Sequence, residues 1–410
     1  MSPDVPVPPT PDTPPGDDTP DWSLETRAIT SGRPAGQRAL APTLWASTTY
    51  MTASVDEGRR MATDPREACF YTRYGNPTVR AFEDAVAELE GAEASRAFAS
   101  GMGAISAVVL GLCSAGDHIV AQEQLYGGTQ LLLQSACPRF GIDVTFVDGT
   151  RPGAFAEAIR PGKTMLVLAE TPANPKLGIV DLDELGAING PITVVDSTFA
   201  PPLIQRPLDH GVALSLHSAT KSIAGHNDAT LGVVSGSREL LDWLWGFAVL
   251  QGANASPFDA MNGLRGIRTL GVRLERQCAT AAVLAAELEA HAAVASVSYP
   301  GLASHPQHEL AARQMTRPGG LLTFDLRGGL EAGRTFVESC RLARLATSLG
   351  GPETLVTHPA STTHVGLLPE ELAAAGIGPG TVRVSVGLEE PEDLLADLVA
   401  AARAAQAAAS

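Results

Sequence analysis

LHSATKSIAGHND, residues Leu216 to Asp228, decides how the rest of this 410-residue chain is read. It follows an apolar run, VALSL (Val212 to Leu216), with the make-up of a buried strand, and it runs on into glycine and a polar cluster. Lys221 therefore stands where a strand gives way to a loop, flanked by Ser218 and Thr220. A lysine there is an unusual choice for packing. Lysine is also scarce, since Lys163, Lys176 and Lys221 are the only three among 29 basic residues. Any amine chemistry through a lysine has a short list of candidates, and Lys221 heads it.

Outward from this stretch, strand and helix patterns alternate. Short apolar runs occur at HIVAQ, VTFVD, MLVLAE, ITVVDS, VALSL and LGVVS, each bounded by turn residues and several separated by enough chain for a crossover helix. This predicts an α/β protein with a large, mostly parallel sheet covered by helices on both faces. Such sheets bind ligands outside the carboxyl ends of their strands. The segments expected there are Gln122 to Tyr126, Glu170 to Asn174, Asp196 to Thr198 and Ser218 to Lys221, so polar and titratable groups converge on one rim. Upstream, Asn76-Pro77 marks a helix entry, and Phe82, Val86 and Leu89 give that helix an apolar face until Gly91. SGMGAISAVVLGLCSAG reads as a second, buried helix opened by glycines. Downstream, long Ala/Leu/Arg/Glu helices, the strand GGLLTFDLRG and a closing helix predict a smaller α+β domain. The expected division is a disordered Pro/Asp-rich tail over 1–22, an arm or plain loop over 23–62, a large domain over 63–262 and a small domain over 263–410.

Composition narrows the function. A net charge of −16 argues against nucleic acid and against an anionic membrane surface. No apolar run approaches the ~20 residues of a membrane span. The five cysteines lack CxxC spacing, which suits a reducing cytoplasm better than a disulfide framework or a metal site. Two short motifs mislead. GMGAIS (Gly101 to Ser106) nearly matches a dinucleotide fingerprint but ends on Ser106 in place of glycine, follows only a weak strand and lacks the acid ~20 residues on. Its glycines suit either a phosphate at a helix start or close helix packing. Ser218-Ala-Thr-Lys221 is formally SxxK, but the companion motifs are absent and a strand, not a helix, is read there. Asp196 alone reads as a helix cap. Paired with Lys221 on the next strand end, it reads differently. An imine-forming lysine and a carboxylate for a cationic ring nitrogen are what pyridoxal phosphate requires.

YTRYGNPT, SGMG, LYGGT, ETPANP, VVDSTFAPP, HSATKSIAGHND, SLGG, HPASTTH and VRVSVGLEE occur in one order along the chain. In order and spacing they resemble the cystathionine/methionine-metabolism family of pyridoxal-phosphate enzymes, from about Ser23 to the C-terminus. The resemblance implies fold type I, and tetramers of tight dimers with active sites shared across each dimer. It implies Lys221 as the Schiff-base lysine and proton carrier, Asp196 as partner of the ring nitrogen and Tyr126 as the residue stacked on the ring. Gly101, Met102, Ser218 and Thr220 would hold phosphate, and Thr198 would join the cofactor site. Tyr71 and Arg73 would reach the neighbouring subunit's phosphate. Asn174 would lie near the cofactor and substrate carboxylate, and Ser348 and Arg383 would take that carboxylate.

The reaction expected is γ-elimination from methionine or cystathionine, giving 2-oxobutanoate, ammonia and a thiol, with Tyr126 as acid for the leaving group. The alternative is γ-replacement on an O-acylhomoserine. A silent homologue kept as a binding protein, and an enzyme acting on a carbon nucleophile or a carrier-bound amino acid, are the other classes. Thr347 stands where cystathionine enzymes often have glutamate, and Gly128 where methionine γ-lyases often have cysteine. Ser222 and Ser197 likewise replace a common aromatic and a common asparagine. A cytoplasmic location is expected.

Overall fold

Two sheets organise the chain, which is described here from a computed structural model covering residues 22–34, 38–64, 70–363, 365, 368, 370, 372 and 376–409. Apart from Trp22, the tail expected over 1–22 lies outside these described residues. The larger sheet has seven strands: β1 (Ala94–Phe98), β2 (His118–Gln122), β3 (Asp143–Val147), β4 (Thr164–Glu170), β5 (Ile192–Asp196), β6 (Leu214–His217) and β7 (Gly232–Gly236). Their order is β1-β7-β6-β5-β4-β2-β3. From β3 to β6 every pairing is parallel; β7 runs antiparallel to both β6 and β1. All six apolar runs read as strands lie in this sheet. β2 and β7 are buried along their whole length, as strands covered on both faces must be.

β1 is not among the six apolar runs and corresponds to the weak strand read before GMGAIS. Its sequence, ASRAF, alternates without a run of β-branched residues. What holds it is tertiary: Ser95 Oγ meets Ser235 Oγ at 2.7 Å, and Arg96 bridges Glu83 at 3.5 Å and Asp242 at 3.2 Å. β7 reverses direction because the connection from β6 is the Lys221 loop itself. That loop contains no crossover helix, and Thr220 N–H donates to Leu231 O at 3.0 Å, turning the chain straight back.

The smaller sheet has five strands: β8 (Val294–Ser298), β9 (Leu321–Leu326), β10 (Arg344–Leu345), β11 (Leu355–Thr357) and β12 (Thr381–Ser385). The order is β10-β11-β12-β9-β8, antiparallel except for β10 with β11. The helices Leu270–Ala290, Gly329–Ser339 and Pro391–Ala408 supply Leu284, Leu288, Phe336, Leu394 and Leu398 to its core around Phe324. The amphipathic helix expected after Asn76 spans Pro77–Glu90, buries Phe82, Val86 and Leu89, and ends where Gly91 takes a left-handed φ of 67°. The stretch read as an arm includes two short helices, Leu24–Thr30 and Val55–Thr63. Among the described residues no helix is long and apolar enough to cross a membrane, and no group of His, Cys, Asp and Glu is placed to hold a metal ion.

Candidate active site

The carboxyl ends of β4, β5 and β6 meet the start of the helix Gly101–Leu112 on one rim, and the small sheet closes over it. Lys221 sits in the loop after β6, with Nζ donating to Ser348 Oγ at 2.8 Å. Burial, and then the charge of Arg383, push the Lys221 amine below its ordinary value. Arg383 comes from the middle of β12 and is buried. Its Nη1 donates to Asn174 Oδ1 at 2.9 Å, its Nη2 donates to Ser348 O at 2.9 Å, and its Nε has no partner. Burial lowers the guanidinium to about 10, with Glu170 opposing. A fork with one buried N–H unspent is a donor set awaiting an acceptor.

Asp196 ends β5. Its Oδ1 accepts from Thr198 N at 3.0 Å and from Thr198 Oγ1 at 2.5 Å, and Thr198 Oγ1 in turn accepts from Ser218 N at 2.8 Å. Thr198 thus ties the end of β5 to the loop carrying Lys221. Burial pushes the Asp196 carboxyl up, with the Thr198 hydrogen bonds and then His217 opposing. A cation facing Asp196 would offset that cost of burial.

The helix Gly101–Leu112 begins against Ser218. Ser100 Oγ caps it by accepting from Gly103 N at 2.9 Å. A Cβ on Gly101 would lie 2.8 Å from Ser218 Cβ, so only glycine lets the helix start come this near the loop. Thr220 turns its hydroxyl the other way: Oγ1 donates to Leu231 O at 3.1 Å and accepts from Leu231 N at 2.9 Å. Tyr126 is on the rim, 51% exposed, and its N–H donates to Glu170 Oε2 at 2.7 Å. Met102 and Gly128 lie beside its ring, where a Cβ on Gly128 would come within 2.6 Å of Tyr126 Cε1 and 2.9 Å of Met102 Sδ.

Lys221, Asp196, Thr198, Ser218, Gly101, Met102, Tyr126, Asn174, Ser348 and Arg383 therefore share one site, and Thr220 braces its loop. Tyr71 and Arg73 do not join them within the chain. Tyr71 pairs with Thr49, and the Arg73 guanidinium lies 5.5 Å from the Tyr71 ring centre and 5.2 Å from that of Tyr74.

Two residues of the site have no role in the sequence reading. Glu170 is buried, and its carboxylate accepts from Tyr126 N and, at 2.9 Å, from Asn174 N. Its signal is local: an acid closing the apolar strand TMLVLAE. Arg273 has no local signal. It lies buried in the helix Leu270–Ala290 and donates to Ser222 O at 2.8 Å and Gly266 O at 2.8 Å, holding the chain just beyond Lys221.

This donor set fits pyridoxal phosphate: a buried amine, a buried carboxylate one strand away, and a glycine-opened helix start pressed against a serine. The comparisons agree. L-methionine gamma-lyase of Treponema denticola is 43% identical over 367 residues, covering 88% of this chain and 91% of that protein. O-succinylhomoserine sulfhydrylase of Pseudomonas aeruginosa is 40% identical, covering 92% of this chain and 94% of that protein. The crystal structure of cystathionine gamma synthase from Xanthomonas oryzae pv. oryzae, in complex with aminoacrylate and cysteine, superposes with a TM-score of 0.89 at 40% identity, covering 95% of this chain and 100% of that one. The α/β architecture is that of fold type I. The model of the Cys/Met metabolism PLP-dependent enzymes matches residues 25–403, and the chain belongs to that family.

Proposed function

We propose that this chain cleaves the Cγ–S bond of a sulfur amino acid, methionine or cystathionine. The reaction consumes water and releases a thiol, ammonia and 2-oxobutanoate. The observation that carries this reading is the meeting of Lys221 and Arg383 at Ser348: an amine of lowered basicity beside a buried fork with a free N–H. When bound, pyridoxal phosphate supplies an electron sink for the pair left at the substrate's Cα. Lys221 would hold it through its amine, Asp196, held by Thr198, would face the ring nitrogen, and Gly101, Met102 and Ser218 would line the phosphate side. Arg383, Ser348 and Asn174 take the substrate carboxylate, which orients Cα toward Lys221. With its amine free, Lys221 would carry protons one at a time, taking the Cα proton and giving it up before it takes one from Cβ. Tyr126, on the open rim, gives its phenolic proton to the departing sulfur.

Gly128 favours a second reading, γ-replacement on an O-acylhomoserine. A Cβ there would lie only 2.6 Å from Tyr126 Cε1 and 2.9 Å from Met102 Sδ, so the cysteine that methionine γ-lyases often carry at this position does not fit beside them as they stand. We infer a homo-oligomer with shared sites, because Tyr71 and Arg73 lie apart from the Lys221 cluster of their own chain. An arm over 23–62, a cofactor domain over 63–262 and a small domain over 263–410 accord with the placing of the two sheets. The deciding experiment incubates the enzyme with L-methionine, L-cystathionine or O-acetylhomoserine, with and without thiol, and assays both 2-oxobutanoate and the thioether amino acid that replacement would form. Oxo acid from methionine or cystathionine alone is expected. Product only from acylhomoserine plus thiol would reverse the order.

A further inference from the structure

The two walls of the site are joined by a residue that neither binds nor transfers anything in the reaction as written. Glu170 ends β4, buried, with one carboxylate oxygen on each wall: Oε2 accepts from Tyr126 N at 2.7 Å and Oε1 accepts from Asn174 N at 2.9 Å. Its own N–H donates to Gln122 Oε1 at 3.0 Å, so the bridge is anchored to β2 as well as β4. Asn174 then passes the constraint on, because its Oδ1 accepts from Arg383 Nη1 at 2.9 Å. A continuous path therefore runs from the Tyr126 main chain through Glu170 and Asn174 to Arg383, and on through Ser348 to Lys221.

We propose that Glu170 is a positioning residue, whose two oxygens set the separation between Tyr126 and the Asn174–Arg383 carboxylate clamp. This rests on reading the Lys221 cluster as the cofactor and substrate site. Geometry distinguishes the role from ordinary loop bracing. Both main chains held by Glu170 belong to residues of the site, and neither has a strand partner at that point. The neighbouring Thr171 shows what bracing alone looks like: its Oγ1 accepts from Val180 N at 3.1 Å and touches neither wall.

The test compares Glu170→Gln with Thr171→Val in the cofactor-loaded enzyme. In the loaded enzyme a cation facing Asp196 would offset the charge that helps Glu170 keep its proton, leaving both oxygens as acceptors. Glutamine instead presents one acceptor and one N–H donor, so it keeps one bridge and repels the other main-chain N–H. The measurements are the visible band of the loaded enzyme, the equilibrium Kd of L-norleucine (isosteric with methionine but lacking sulfur) and the split of kcat from KM. Expected for Glu170→Gln are a retained band, a Kd raised about tenfold, and a fall in kcat/KM shared between both constants. Thr171→Val is expected to lower Tm and leave the norleucine Kd within twofold. If Glu170→Gln lowers Tm as Thr171→Val does and leaves Kd and kcat/KM within twofold, the residue is only a brace and the proposal falls. Should Glu170→Gln not fold, Glu170→Asp keeps both oxygens but withdraws them by a methylene; the same weakening of Kd supports the proposal, and an unchanged Kd overturns it. Failure of the underlying reading is separable, since it would show as wild type forming no band on addition of pyridoxal phosphate.

Discussion

Lys221 Nζ donates to Ser348 Oγ at 2.8 Å, a contact that joins the loop after β6 to the small sheet's domain across 127 positions of sequence. It places Lys221 against the turn that also receives Arg383. Lys221→Ala is expected to remove the visible band of cofactor-loaded protein and to cut turnover at least ~1000-fold, as loss of a proton-transferring group does. Absorbance after addition of pyridoxal phosphate, followed by dialysis, checks it. A persistent band in the variant would place the attachment elsewhere.

Arg383→Lys tests the fork. Nη1 and Nη2 serve two acceptors in different directions, Asn174 Oδ1 and Ser348 O, and a single ammonium cannot span both while offering a third N–H to substrate. A KM rise of about ten- to a hundredfold is expected, with a smaller change in kcat. Steady-state kinetics with methionine would reveal a uniform kcat loss if the arginine acted otherwise.

Gly101→Ala adds a Cβ that would sit 2.8 Å from Ser218 Cβ and 3.1 Å from Ser218 Cα. Because the opposing atoms include backbone, the helix start and the Ser218 loop must part. Cofactor affinity is expected to fall at least about tenfold, with the fold retained, since the helix itself tolerates alanine. Titration of cofactor-free protein by absorbance measures this directly.

The cofactor-free protein carries a pH signature at Glu170. Burial first, and the neighbouring Asp196 second, push its carboxyl up to about 8, with Arg383 among the opposing groups. From the ordinary carboxyl range up to about 8 the unfolded chain has already lost a proton that the folded chain keeps. Stability from this group is therefore full below that window, falls as pH rises through it and levels off above. Glu170→Gln does not titrate, so wild type should lose more Tm than the variant between about pH 5 and pH 8.5. Parallel Tm profiles would remove the argument.

The opposite sign belongs to Asp325. Burial raises its carboxyl, but Lys176 Nζ at 2.6 Å, Thr381 Oγ1 at 2.5 Å and Ser296 Oγ at 2.8 Å together bring it below the ordinary range. Its contribution is present above the ordinary carboxyl pKa and is lost as pH falls through the depressed one. Lys176→Met should cost about 1–2 kcal/mol near neutral pH, between exposed and buried pairs. Denaturant titrations at neutral pH and near pH 3 should show that gap shrinking in acid.

Much of this protein is written locally. The six strand runs, the helix opened by Pro77 and closed by Gly91, and the placing of Lys221 and Asp196 at strand ends all follow from patterns a few residues long. Period and turn chemistry act through neighbours in sequence, so they survive without a fold. The parallel order of β3 to β6 then brings four strand ends to one rim. What local pattern could not contain is whatever depends on distant partners. ASRAF becomes a strand only because Ser235, Glu83 and Asp242 await it. β7 turns antiparallel because Thr220 and Leu231 close the loop between them. Arg383 has a role in the sequence only through the family resemblance, until β12 carries it, buried, to Asn174 and Ser348. Glu170 reads as the acid that ends a strand until the fold sets Tyr126 and Asn174 on its two oxygens. The sequence alone thus named most of the groups that the fold gathers around Lys221, but it gave no role to Glu170 or Arg273, and it named Tyr71 and Arg73, which lie apart within the chain. Only tertiary structure decided how they bind one another, because hydrogen bonds between residues far apart in the chain exist only once burial has brought them together.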